Sequence, residues 1–92
     1  MRLRLTTPAA RQLDRVLTYI AQHNPQGARN VQERLSDVLN VLLHHPYAGH
    51  RTARPGIHRM VVSPYPYAVT YRVMGDEIVV LGVRHTARRP LA

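Results

Sequence analysis

Ile57-His-Arg-Met-Val-Val-Ser-Pro64, Tyr65-Pro-Tyr67-Ala-Val-Thr-Tyr71-Arg72-Val73 and Glu77-Ile-Val-Val-Leu-Gly-Val-Arg84-His85 follow one another in the last third of the chain. All three segments are rich in β-branched and aromatic residues, and two turn signals separate them, which predicts an antiparallel meander. On the middle strand Tyr67, Val69, Tyr71 and Val73 share one face and Ala68, Thr70 and Arg72 the other, because side chains alternate along a strand. The last strand, Ile78 to Val83, is apolar on both faces. It therefore belongs inside the sheet and not at its edge.

Upstream of the meander, residues 46–56 hold Pro46, Gly49, Pro55 and Gly56 and read as a loop. Before it, Asn24-Pro25 opens a helix whose apolar stripe is Ala28, Val31, Leu35, Val38, Leu39 and Leu42. That helix runs to about His45, since Pro46 disfavours the helical conformation in the residue before it. Thr7-Pro8 opens an earlier helix, with Thr7 as the cap and Pro8 at the first helical position. Leu13, Val16, Leu17 and Ile20 form its stripe, and it stops near His23-Asn24. So short a connection makes the two helices a hairpin. Arg2 to Thr6 alternates as a half-buried strand. The expected order is β-α-α-β-β-β, an α+β fold of one domain over residues 1–92, with the helical hairpin packed on an antiparallel sheet.

A chain of 92 residues buries only about 60–65% of its unfolded surface, so its stability is modest. There is no Cys, which removes disulfides and thiolate metal sites. The N-terminus lacks the apolar run of a signal peptide, and no segment reaches the roughly 20 apolar residues that span a bilayer. The simplest reading is a bacterial cytosolic protein that does not enter membranes. The net charge is +8, and all 13 basic residues are Arg. Arg51, Arg54 and Arg59 have no acidic neighbour in sequence, nor do Arg84, Arg88 and Arg89. Such a surface attracts nucleic acid, an acidic protein segment or a nucleic-acid-bound machine.

The wording of the meander resembles ParE-type toxins of bacterial toxin–antitoxin pairs. Family members carry an Arg on the first meander strand, then Pro-Tyr and Tyr-Arg-Val, then Val-x-His-x-x-Arg. Here these are Arg59, Pro64-Tyr65, Tyr71-Arg72-Val73 and Val83-Arg84-His85-Thr-Ala-Arg88. The resemblance extends to Thr6-Thr7-Pro8-Ala9 and to the His45-Pro46-Tyr-Ala-Gly49 loop. It implies the fold of the RelE/ParE superfamily. In that superfamily ParE-type toxins poison DNA gyrase and RelE-type toxins cleave mRNA in the ribosomal A site. Both are neutralised by a partner antitoxin with a flexible C-terminal segment.

Ribosome-dependent cleavage needs a base for the 2′-hydroxyl, cations for the transition-state phosphate and an acid for the leaving oxygen. RelE-type members place an Arg late in the first meander strand, where this chain has Ser63. After Arg88 the tail reads Arg-Pro-Leu-Ala, without Tyr or His. The residues left for an RNase are His85, Arg59 and Arg88. The resemblance instead implies that Arg84, His85, Arg88 and Arg89 contact the gyrase target. It also implies a small acidic antitoxin, ParD-like or of another family. Arg59 and Arg72 are the candidate cations for that antitoxin, and Leu13 and Leu17 its candidate apolar contacts.

Six His residues raise the question of a metal. Adjacent His44 and His45 diverge by about 100° on a helix, and no His-x-x-x-His pair exists, so surface and cap roles fit them better. Tyr67 and Tyr71 share the face of Val69 and Val73 and read as core, while Tyr65 in its Pro-flanked turn is freer to stack on a base. No Gly-rich phosphate loop, paired carboxylate or nucleophile triad calls for a cofactor or another enzyme class. A basic nucleic-acid-binding module remains the other class, although no helix-turn-helix or RNA-binding signature is present.

Overall fold

A computed structural model describes residues 1–87. The chain forms β1 (Arg2–Leu5), α1 (Thr7–His23), α2 (Pro25–His44), β2 (His50–Arg51), β3 (Ile57–Val61), β4 (Tyr67–Met74) and β5 (Glu77–His85). The strands make one sheet in the order β1-β5-β4-β3-β2. Three antiparallel pairings run from β2 to β5, and the meander predicts the two among β3, β4 and β5. The sheet as a whole is mixed, because β1 joins β5 in parallel, with Leu3 opposite Ile78 and Leu5 opposite Val80. This addition places β5 between two strands. It explains why Val79 and Val80, on opposite faces, are both nearly inaccessible, at 3% and 1% exposure.

The helix ends follow from local chemistry. The cap of α1 is Thr6, one residue earlier than Thr7, because the Thr6 Oγ1 accepts from the Ala9 N–H at 3.2 Å. Pro8 accordingly sits in the second helical position, which also needs no backbone donor. A single residue, Asn24, joins the helices. Its N–H donates to the Ile20 carbonyl at 2.7 Å, and its Oδ1 accepts from the Gly27 N–H at 3.0 Å. It therefore closes one helix and opens the next. At the far end of α2, His45 is the cap and its N–H donates to the Val41 carbonyl. His44 Nδ1 lies 2.9 Å from the Asn40 carbonyl, a position that suits the negative end of the helix.

The core lies between the hairpin and one sheet face. Ala9, Leu35, Val38, Val62, Val69, Val80 and Val83 form its larger part, and Leu42, Tyr71 and Ile78 the smaller. Every buried position of α2 lies on its expected stripe, with Leu39 only half-buried. On α1 only Ala9 is buried, and Leu13, Val16, Leu17 and Ile20 are half-exposed. Within the loop expected at 46–56, the short β2 pairs His50 with Arg59 and Arg51 with His58. Two residues are too few to show a period in sequence. No helix among the described residues is long and apolar enough to cross a membrane.

The loop is fastened at Gly49. Its N–H donates to the Tyr71 hydroxyl at 3.0 Å. A Cβ there would fall 2.7 Å from that oxygen and 3.0 Å from the Arg59 carbonyl oxygen. Only glycine fits.

Candidate functional site: a cationic sheet face

Residues opposite one another in a sheet share a face, so the strand register sorts the arginines. Arg4, Val79, Arg72 and Ile57 form one row across β1, β5, β4 and β3. The next row is Gly82, Thr70, Arg59 and His50, and the third is Arg84, Ala68 and Val61. None of these residues belongs to the core under the helices, so they form the sheet's second face. Val79, Ala68 and Ile57 are 3%, 4% and 8% exposed between the arginines. Arginine stems can cover apolar neighbours while the guanidinium stays wet.

Two carboxylates reach this cluster. Arg4 pairs with Glu77 at 3.2 Å, and Arg2 with Asp76 at 3.9 Å. The second pair is largely exposed, and pairs of that kind contribute little to stability. Among the described residues, Arg59, Arg72 and Arg84 have no carboxylate within 4.0 Å. Two antitoxin candidates and one target candidate thus share one face.

His85 does not join them. Strict alternation from Ile78 and Val80 would carry Arg84 to the helix side and His85 to the second face. A register shift intervenes: Tyr71 pairs with Val80 and Thr70 with Gly82, which leaves Leu81 without a partner. This bulge turns Val83 and His85 toward the helices and Arg84 away, the expected result of a one-residue slip. The His85 ring meets Tyr67 edge-on at 5.3 Å, and its Nδ1 accepts from the Ala87 N–H at 3.1 Å.

The bulge is held by α1. Beyond Leu5 no strand among the described residues lies beside that edge of β5. Gln12 takes over there, its Oε1 accepting from the Val83 N–H at 2.9 Å. Sequence reasoning passes over Gln12 because a lone polar residue on a helix carries no periodic signal. Arg34 escapes notice for the same reason. From α2 its Nε donates to the Ser63 carbonyl at 2.6 Å, so a guanidinium does stand where a meander Arg is lacking. It is engaged by backbone.

Leu13 packs against the larger core cluster, and Leu17 is half-exposed one turn further on. Tyr71 is fully buried, while Tyr67 and Tyr65 are half-buried. Arg88 and Arg89 lie outside the described residues. Among the described residues no three of His, Cys, Asp or Glu are grouped to hold a metal ion.

Comparison with known proteins agrees with this architecture. The family model described as ParE toxin of type II toxin-antitoxin system, parDE, matches residues 3–90. Y4kP of Sinorhizobium fredii (strain NBRC 101917 / NGR234), a curated protein named as a candidate toxin, is 30% identical over 84 residues. That match covers 91% of this chain and 86% of Y4kP. A chain of the solved chromosomal ParDE TA system from P. aeruginosa shares the fold, with a TM-score of 0.80 at 24% identity. The likeness covers 92% of this chain and 95% of that one. The class is therefore a toxin of a type II toxin–antitoxin system. Within it, the chain belongs to the ParE toxin family.

Proposed function

We propose that this toxin acts in the cytoplasm by inhibiting DNA gyrase, and that a small acidic antitoxin neutralises it. The observation that carries the choice of target is the separation of Arg59 from His85. Arg59 lies on the second sheet face, in register with Thr70, whereas His85 stands on the helix side against Tyr67. An RNase needs its base, acid and phosphate-binding cations to converge on one reacting phosphate. The described members of the set His85, Arg59 and Arg88 do not converge. A gyrase poison needs no such convergence, only a surface that docks.

Arg59 and Arg72, with the half-exposed stripe of α1 around Leu17, suit an acidic amphipathic segment that lays a helix on the hairpin and an extended stretch on the sheet. Arg84, together with Arg88 and Arg89 on sequence grounds, is assigned to the target. Two assays on purified toxin test the reading. Supercoiling by gyrase should be inhibited or cleavage complexes trapped, and mRNA on programmed ribosomes should stay intact. Codon-specific cuts at the A site, abolished by His85→Ala, would replace gyrase with the ribosome as the target.

A further inference from the structure

Loop 46–56, which follows α2, builds a second cationic feature, with Arg51 and His58 in register with Tyr71 and so on the helix side of the sheet. Arg54-Pro55-Gly56-Ile57 is a type II turn, with Pro in the second position, Gly56 at φ +78° in the third, and the Ile57 N–H donating to the Arg54 carbonyl at 3.1 Å. Thr52 clamps it. The Thr52 N–H and Oγ1 both donate to the Ile57 carbonyl, at 3.1 and 2.9 Å, and Oγ1 accepts from the Arg54 N–H at 3.2 Å. The loop is thus pre-formed, which lowers the ordering cost of binding anything it holds.

Between this turn, β2 and Tyr47 lies a cleft of about 380 Å³, within the size range of small-molecule sites. Tyr47, Arg51, Arg54 and His58 supply its side-chain chemistry, and among the described residues no carboxylate lines it. Tyr47 is 69% exposed. His58 is held between two rings, with Tyr71 stacked at 5.4 Å and Tyr47 edge-on at 5.6 Å. Its Nδ1 is buried and has no hydrogen-bond partner among the described residues, an arrangement that costs free energy until something supplies one.

We propose that this cleft binds a nucleoside phosphate, with the base stacked on Tyr47 and the phosphate held by Arg51 and Arg54. Guanidinium groups match phosphate oxygens in geometry and charge, and an exposed aromatic ring accepts any base without hydrogen-bond readout. A phosphate ion alone would leave the ring unused and most of the cleft unfilled. A free nucleotide and one nucleotide of a single strand share this chemistry. The proposal stands apart from the choice between gyrase and ribosome.

The test uses the full chain and three probes: ATP, inorganic pyrophosphate, and a labelled single-stranded oligothymidylate read by fluorescence anisotropy. ATP should bind more tightly than pyrophosphate. Tyr47→Ala should weaken ATP by on the order of tenfold while leaving pyrophosphate unchanged, and Tyr47→Phe should retain ATP binding. Arg51→Gln with Arg54→Gln should weaken both, and Arg72→Gln neither. Tyr47-dependent binding of ATP alone assigns the site to free nucleotides, and of the oligonucleotide alone to strands. The proposal is overturned if no probe binds, or if pyrophosphate binds as tightly as ATP. Equal binding by the parent and Tyr47→Ala, or an oligoglutamate peptide as tight as ATP, overturns it too. Circular dichroism of the exposed-site variants separates lost binding from lost fold.

Discussion

Gly49 and Tyr71 touch across 22 residues of sequence, the glycine N–H donating to the buried tyrosine hydroxyl at 3.0 Å. The contact joins the loop after α2 to the centre of the sheet, because Tyr71 also stacks on His58 and packs with Leu42 and Ile78. Gly49→Ala should destabilise the fold by about 1–3 kcal/mol, the usual cost of overpacking. Tyr71→Phe keeps the ring and orphans one N–H, for about 1–2 kcal/mol. Urea unfolding of both variants measures these losses.

Burial pushes the Tyr71 hydroxyl above its ordinary 10.0, and the hydrogen bond from Gly49 offsets part of the rise. The folded chain therefore holds that proton more tightly than the unfolded chain. Below pH 10.0 the two states are equally protonated and the stability is complete. As pH rises through the unfolded and then the folded value, stability is lost. Tyr71 should leave unfolding midpoints unchanged from pH 8 until the pH nears 10.0 and lower them beyond it, so that the parent falls further there than Tyr71→Phe.

Gln12→Ala should loosen the bulge. With Val83 N–H unpaired, the expected loss is about 1–2 kcal/mol, and amide exchange at Val83 should quicken more than at Val69. A Val83 amide as protected as in the parent would show that the bulge does not rest on Gln12.

Leu42 is fully buried beside Tyr71 and Ile78, so Leu42→Ala should cost about 2–5 kcal/mol. In a domain of this size each kcal/mol lowers Tm by roughly 4–8 °C. Val41→Ala, one residue away but 44% exposed, should move Tm by little.

Replacing Arg59 and Arg72 by Gln tests the antitoxin's share of the second sheet face. Affinity for the cognate antitoxin should fall by on the order of tenfold, and its salt dependence should flatten. The melting temperature should change little, since neither arginine has a carboxylate partner within 4.0 Å among the described residues. An unchanged affinity would confine antitoxin binding to the helices.

Much of this molecule is legible from local chemistry. Pro8, Asn24 and Pro25 mark the helix starts, Pro46 marks where α2 must stop, and Gly75, at φ +61°, marks the turn before β5. The α2 stripe predicts its buried side, with Leu39 alone of its six residues only half-buried, because burial must follow a period of 3.6. The two-sided apolar run of β5 reveals its interior position, although not the strand that covers its other edge. These signals all act within a few residues of one another.

Tertiary structure decided what distance in sequence conceals. The parallel pairing of β1 with β5 joins residues some 75 positions apart, and no local pattern marks it. The faces of Arg84 and His85 depend on a bulge at Leu81, which Gln12 fastens from another element. Alternation alone assigns both residues to the opposite sides. The glycine at 49 looks like an ordinary loop residue until Tyr71 is placed against it. Hydrophobic period and turn chemistry are properties of neighbours in the chain. Register, and with it the composition of a binding face, depends on which edge hydrogen bonds remain unpaired once those elements have packed.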